Sequence, residues 1–325
     1  MFDMFKNLLM VRTSNRFTLI GILLLCAVMI MPITASAAHY NTYTTFVTLP
    51  NGGGDCCAAS QGFAVGSTYA YSIKTNSDDT KAVIYKTTLS NGTTTLMTNG
   101  DDGTTYATYL GHANDMTLAT INGDTFMFIV TMKQGSLSLV KLKYVYSTFY
   151  KVGEYTIKLD GVNKSAFGVA ITSKDTNNIN FLFAIGDRFY RGALPLTANS
   201  GTINVTDGFG INKVDALVNG STVSNISSYV RQGFGYDNNT LYLPLTYHNI
   251  SIVLVYHNIS TATGTLYADD NLSFRITSAA YPHTFEIESL GVDSAGKLWF
   301  NANRQTDAND KAHDGVFYFN GYVAP

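Results

Sequence analysis

Apolar residues in this chain fall in short alternating runs and almost nowhere at helical spacing. Residues 43–49, 69–73, 82–86, 126–130, 181–185, 241–245, 252–256, 298–302 and 316–319 are such runs, rich in Val, Ile, Phe, Tyr and Thr. Asn, Gly and Asp bound them, as in Asn76 to Asp79 and Asn91-Gly92. β-Branched and aromatic side chains suit a pleated surface, and Gly and Asn tolerate turn dihedrals, so each run predicts a strand. No long amphipathic helix is predicted.

The runs are ordered by a recurring opening: polar, small or polar, apolar, any, apolar. It occurs as Gln61-Gly62-Phe63-Ala64-Val65, Asn114-Asp115-Met116-Thr117-Leu118, Ser165-Ala166-Phe167-Gly168-Val169, Gln232-Gly233-Phe234-Gly235-Tyr236 and Glu288-Ser289-Leu290-Gly291-Val292. Successive openings begin about 53, 51, 67 and 56 residues apart. Several short strands in a repeat of about 50 residues mark a β-propeller blade. Five openings predict an all-β chain folded as a five-bladed β-propeller, with residues 43–49 completing the last blade and closing the ring. A β-sandwich or a two-domain β protein is the alternative.

The first residues read differently. Lys6, Arg12 and Arg16 precede an apolar run from Phe17 to Ile30, and Ala35-Ser36-Ala37 has the small-x-small form of a cleavage site. This predicts a signal peptide at 1–37 and a single secreted, extracellular domain at 38–325, with no stable membrane span after cleavage. Removing 1–37 leaves 18 basic and 22 acidic residues, a net charge near −4. Such a balance gives no electrostatic footprint for nucleic acid. The secreted part keeps only Cys56 and Cys57. Export permits their oxidation, so a vicinal disulfide and two free thiols are both open readings; two adjacent Cys alone do not make a zinc site.

In a propeller the first strand of each blade lines the central channel. The opening residues Gln61, Asn114, Ser165, Gln232 and Glu288 are therefore expected to ring one end of it, with His112, Asn163 and Glu286 two positions earlier on the same face. His112, Asn114 and Asp115 gather an imidazole, an amide and a carboxylate, an acid/base or cation-orienting set. Glu286 and Glu288 flank Ile287 and share one side of their strand, where paired carboxylates raise one another's proton affinity or hold a cation. Gln61 and Gln232 hold equivalent positions, and amides both donate to and accept from sugar hydroxyls. Hydrogen bonding between blades is the competing explanation for every one of these groups. No nucleophile elbow, His-Glu-x-x-His or phosphate loop is present.

The segments Gln61 to Tyr71 (QGFAVGSTYAY), His112 to Val130 (HANDMTLATINGDTFMFIV), Gln232 to Leu243 (QGFGYDNNTLYL) and Glu286 to Phe300 (EIESLGVDSAGKLWF) resemble the helveticin J family of secreted bacteriocin-like proteins. That resemblance implies a secreted propeller that binds or acts on a bacterial surface, and it carries no defined catalytic set. Gln232-Gly233-Phe234 and Glu286-Ile287-Glu288 are also loosely similar to the five-bladed plant-type glutaminyl cyclases, as shared architecture. The functional expectation is a binding protein for a glycan or other envelope component, through Gln61, His112, Asn114, Asp115, Gln232, Glu286 and Glu288, without catalysis. A cation in the channel is the one cofactor this set would accommodate. The alternative is a hydrolase or lyase using the carboxylates and His112.

Overall fold

The computed structural model describes residues 42–51, 56–132, 138–218 and 220–322. The signal peptide expected at 1–37 lies outside them. Among the described residues the only helical turns are 3₁₀ turns at Ile226–Ser228 and Ile259–Thr261; the rest is strand and connection.

The strands form five antiparallel meanders in chain order. The first contains Ala59–Val65, Tyr69–Thr75, Ala82–Thr88 and Thr94–Leu96. The second runs from Asp115–Ile121 through Asp124–Val130 and Ser138–Val145 to Thr148–Leu159. Gly168–Lys174, Asn178–Ile185, Arg188–Pro195 and Thr206–Asn212 make the third. In the fourth, Val230–Arg231 and Gly235–Asp237 both pair with Thr240–Tyr247, followed by Ile250–Tyr256 and Phe274–Thr277. The last holds Thr284–Val292, Leu298–Gln305 and Gly315–Phe319, and its outer strand is Tyr43–Thr48. The expected closure is therefore present, with Tyr43 opposite Phe319 and Thr48 opposite Gly315. Turn chemistry matches the hairpins: Asn122-Gly123 and Asp160-Gly161 both take positive φ, as two-residue hairpin loops require.

The innermost strands pack against one another in cyclic order, first to second and onward, and the fifth returns to the first. Each gap between neighbouring sheets is filled by its own apolar cluster. Ile73 and Met127 share the first, Phe128 and Phe181 the second, and Phe189 and Phe234 the third. Phe274 and Phe319 share the fourth, and Val83 and Trp299 the one that joins the last sheet to the first. This is a propeller arrangement.

An axial cavity of about 220 Å³ fixes the register of the inner strands. Its wall takes Phe63–Val65, Met116–Leu118, Val169–Ile171, Leu290–Val292, and Phe234 with Tyr236. The residue two before each of these groups is Gln61, Asn114, Phe167, Gln232 or Glu288. Four of these five are residues at which the sequence places an opening. The third is corrected from Ser165 to Phe167, and Asn163 lies on a separate exposed strand, Val162–Asn163. Ser165-Ala166-Phe167 satisfies the polar-small-apolar template, but close packing against the neighbouring sheet selects the later Gly168.

Two inner strands carry a bulge at their polar end. The ladder shifts between Ser60 and Phe63, and between Ile287 and Ser289. The shifts take Gln61, Gly62 and Glu288 out of their own sheets. Bulges re-aim side chains and free backbone groups, and both effects are used. Gly62 N–H donates to Ala113 of the second sheet at 2.9 Å, and Gly233 N–H to Glu288 of the fifth at 2.8 Å. A Cβ on Gly62 would sit 2.8 Å from the Ala113 oxygen, and one on Gly233 2.7 Å from Oδ1 of Asp115. The repeated Gln-Gly-Phe is the sequence trace of these close approaches.

Asp115 occupies the centre. Its Oδ1 accepts from Met116 N–H at 3.0 Å and Ser289 Oγ–H at 2.6 Å. Its Oδ2 accepts from Val169 N–H at 2.9 Å and Phe234 N–H at 3.2 Å. One carboxyl of the second sheet thus ties in the third, fourth and fifth. It is fully buried, and that burial pushes its pKa up to about 7 against the pull of Ser289, Val169, Phe234 and Met116.

Across the first and last sheets, Lys74 Nζ lies 3.0 Å from Asp314 Oδ2, and both side chains are buried. Lys74 also donates to Asn51 Oδ1 at 3.1 Å, and Leu49 N–H donates to the Asp314 carbonyl. Arg304 is buried beside them, donating to the His313 carbonyl and to Thr45 Oγ1 on the closing strand. Cys56 and Cys57, at the start of the first inner strand, are joined as a disulfide, and Cys57 is buried in the cluster between the last sheet and the first.

The axis generates three predictions. Asp115→Ala strands the Val169 and Phe234 N–H groups, at about 1–3 kcal/mol each, so urea unfolding should shift to lower denaturant with an unchanged slope. Gly233→Ala should destabilise by about 1–3 kcal/mol through overpacking. The raised pKa of Asp115 also sets a pH window. Below about pH 4 the carboxyl is protonated in folded and unfolded chains alike. As pH climbs toward 7 the unfolded chain ionises while the folded chain keeps its proton, so stability falls through that window. Asp115→Asn should remove that part of the slope. Equal pH slopes for the two proteins between pH 4 and 7 would contradict the assignment.

Candidate functional site

The polar mouth is the end of the axis at which the inner strands begin. Its most exposed pair is Glu286 and Gln232, both half-buried, with Gln232 Nε2 donating to Glu286 Oε1 at 2.7 Å. The strand Thr284–Val292 supplies Glu286. The bulge two residues later turns Glu288 to the same mouth, now fully buried. Glu288 Oε1 accepts from Asn303 Nδ2, while among the described residues no N–H or O–H donates to Oε2. Burial raises the Glu288 pKa well above the usual carboxyl range, and the neighbouring charge of Glu286 and a hydrogen bond with it raise it further. Glu288 is therefore the carboxyl of the mouth that burial biases toward its protonated form.

On the first sheet, Gln61 is 6% exposed and its Oε1 meets no donor, like Ser60 Oγ beside it. Ser60 N–H donates to Asn303 Oδ1 at 2.7 Å, and Asn301 Nδ2 donates to the Gln61 carbonyl at 2.6 Å. Asn303 is thus a hinge between the bulges, holding Glu288 with one atom and Ser60 with another. The mouth combines a half-exposed carboxyl–amide pair, a buried carboxyl of raised proton affinity, and buried oxygens without a protein donor among the described residues. Such a set grips hydroxyl or ammonium donors and orients them.

The remaining expected residues stand elsewhere. Asn114 is buried, and its Nδ2 donates to the Phe167 carbonyl of the third sheet at 2.5 Å, a bond between sheets. Asp115 was expected to contact ligand. It is corrected to an axial clamp, because both its oxygens are filled by protein donors and none of its surface is exposed. His112 is part-exposed, and its Nδ1 lies 3.0 Å from Asp79 Oδ1 on a hairpin of the first sheet. The imidazole is thereby committed to Asp79 and not to the Glu286–Glu288 pair. Arg231, next to Gln232 in the chain, donates to Asp187 and lies over the Phe167 ring. Asp310 takes the Thr306 and Ala312 N–H groups and faces His313, so that segment is a self-bonded loop. Among the described residues, no three His, Cys, Asp or Glu side chains are grouped to hold a metal ion.

Sequence reasoning missed Asn301, Asn303 and Ser289. The signal was present: Asn301 and Asn303 alternate with Phe300 and Ala302 in the strand Leu298–Gln305, whose first three residues are apolar. Polar side chains on the buried face of a strand need partners, and theirs are the two bulges.

No family model matches the chain, and no curated protein matches it. Solved structures do show similarity over most of their length. A GH43_1 enzyme from Xanthomonas citri is 8% identical, with 88% of this chain and 93% of that one covered and a TM-score of 0.48. The glutaminyl cyclase of Myxococcus xanthus is 9% identical over 87% of this chain and 97% of that one, with a TM-score of 0.46. A glycosyl hydrolase from Bacteroides ovatus is 9% identical over 90% and 94%, with a TM-score of 0.45. At such identities and scores the function has to be argued from this chain's own residues.

Proposed function

We propose that this protein is a secreted five-bladed β-propeller that binds an envelope glycan at its polar mouth. The observation that carries this reading is the Glu286–Gln232 pair, half-exposed and backed by the buried Glu288 and Asn303. A carboxylate and an amide side by side accept from and donate to neighbouring hydroxyls of one sugar ring. Their mutual hydrogen bond holds the two side chains together, so little side-chain entropy is lost on binding. The blade count rests on five meanders with five intervening apolar clusters. Export and the envelope as target rest on the leader pattern and the resemblance of the openings.

A second reading is a hydrolase or lyase with Glu288 as proton donor. Its raised proton affinity and its undonated Oε2 favour it. A glycosidase places its two carboxyl groups about 5–9 Å apart, on opposite sides of the bond it breaks. Here Glu286 and Glu288 lie two residues apart on one strand, Glu286 is engaged by Gln232, and Asp115 is sealed. The two readings part on whether Glu288 transfers a proton to the bound sugar or only holds it.

The test is a glycan array run with the secreted form, Glu286→Gln and Glu288→Gln, paired with a reducing-sugar assay on each glycan that binds. Wild type should bind, Glu286→Gln should bind at least tenfold more weakly, and no reducing ends should appear. Unchanged binding by Glu286→Gln removes the mouth as the site. Reducing ends released by wild type and lost in Glu288→Gln replace binding with the hydrolase reading.

A further inference from the structure

A cavity of about 350 Å³ lies between the third and fourth sheets, and none of the polar mouth's residues lines it. Asp187, in the turn between Asn178–Ile185 and Arg188–Pro195, forms one side. Ile211, Lys213 and Val214, at and just beyond the end of Thr206–Asn212, form another, and Arg231 closes it from the fourth sheet. The register places it at the polar end of the sheets. Gly168 faces Ala184 and Arg188 faces Gly210, so that turn lies beside the start of the third inner strand. Arg231 immediately precedes Gln232 of the mouth in the chain.

The wall holds two cations and one carboxylate. Arg231 is 15% exposed and stacks over the Phe167 ring. Only its Nη2 is engaged, by the Gly186 carbonyl and by Asp187 Oδ1 at 2.8 Å. Asp187 is 92% exposed, so water screens most of its charge. Lys213 is half-buried, and among the described residues its ammonium meets no acceptor and no carboxylate. Burial and then the like charge of Arg231 hold its pKa below the usual value, against the pull of Asp187. Arg188, beside Asp187 in the chain, is neutralised separately by Asp207, at 2.9 and 2.7 Å. One positive charge is therefore left over in the cavity, on two cations that repel each other. A negative group between them would relieve that repulsion and supply the acceptors that both lack. The surplus matches a single negative charge, whereas a phosphate monoester carries about 1.5 to 2. The volume falls within the range of small-ligand sites, about 300–1,000 Å³, and Ile211 and Val214 give apolar surface to whatever carries the charge.

We infer that this cavity is a binding site for an organic monoanion, a carboxylate or a phosphodiester, held between Lys213 and Arg231. Lys213 supplies a compact charge with three donors, and Arg231 the Nε and Nη1 hydrogens that the protein leaves unspent. The site does not depend on what the polar mouth binds. A glycan array that fails leaves it standing, and its own failure leaves the mouth untouched.

The test is calorimetric titration of the secreted form with glucuronate, which carries a carboxylate, with glycerophosphoglycerol, which carries a phosphodiester, and with uncharged glucose. At least one acid should bind at least tenfold more tightly than glucose, and the one that does identifies the group. Lys213→Gln should lower that affinity at least tenfold. Its unfolding temperature should stay at the wild-type value, because Lys213 makes no hydrogen bond or ion pair to lose. Lys311→Gln makes the same charge change on an exposed loop and should bind as wild type does. Neither acid binding more tightly than glucose overturns the inference, as does full binding by Lys213→Gln. An equal loss in Lys311→Gln also overturns it, since the acids would then be answering the charge of the whole chain and not this cavity.

Discussion

The structure depends on one carboxyl group at the centre of a ring. Inner strands of a propeller arrangement meet along an axis where their own ladders end, so backbone N–H groups there face the channel without a strand to receive them. An unpaired buried N–H is worth about 1–3 kcal/mol in lost stability. Asp115 receives two of them, together with its own neighbour's N–H and the Ser289 hydroxyl. No amide or hydroxyl offers four acceptor positions from one side chain. The same concentration of donors in a sealed place makes the group's charge expensive, and burial therefore drives its proton affinity upward even as the donors pull it down.

The bulges are the second half of that arrangement. Taking Gln61, Gly62 and Glu288 out of their ladders lets two sheets bond directly to their neighbours through Gly62 and Gly233. It also turns side chains that would otherwise lie between sheets toward the mouth. The candidate site is thus built from the same irregularity that closes the ring. This explains why Glu288 and Gln61 are so deeply buried yet incompletely bonded: their backbones serve the ring, and their side chains are left for a ligand, a solvent molecule or a proton.

Much of this was legible in the sequence, and the limits have physical causes. Strand alternation, turn residues and the repeated opening located four of five inner strands and the closing strand, because those features are local. The third opening was placed two residues early, since Ser165 matches a template of polarity while the fold is decided by where Gly168 allows Phe234 to approach. Asp115 was read as a ligand group because sequence displays a carboxylate but not its burial. His112 was read with the channel because Asp79, its partner, lies on a distant hairpin. Asn303 went unseen inside an apolar run. The axial cavity had no local signature at all, since Phe63, Met116, Val169, Phe234 and Leu290 come from five stretches far apart in the chain.

The two ends of the axis differ for a reason that runs along each inner strand. Four of the five inner strands begin polar, at Gln61, Asn114, Gln232 and Glu288, and all end apolar, so side by side they make a gradient along the axis. At the polar end, bulges and carboxyls concentrate charge in a confined place, where protonation and bonding to a ligand compete for the same oxygens. At the other end, Val65, Leu118, Ile171, Tyr236 and Val292 make a wall that offers contact surface without charge. Between them Asp115 and its donors plug the axis. A ligand at one end therefore cannot reach the other, and any coupling between the ends must pass through the hydrogen bonds of Asp115. Those bonds join four sheets rigidly. The physical default is two independent faces on a stiff disc, each free to serve a different part of a large, repetitive surface.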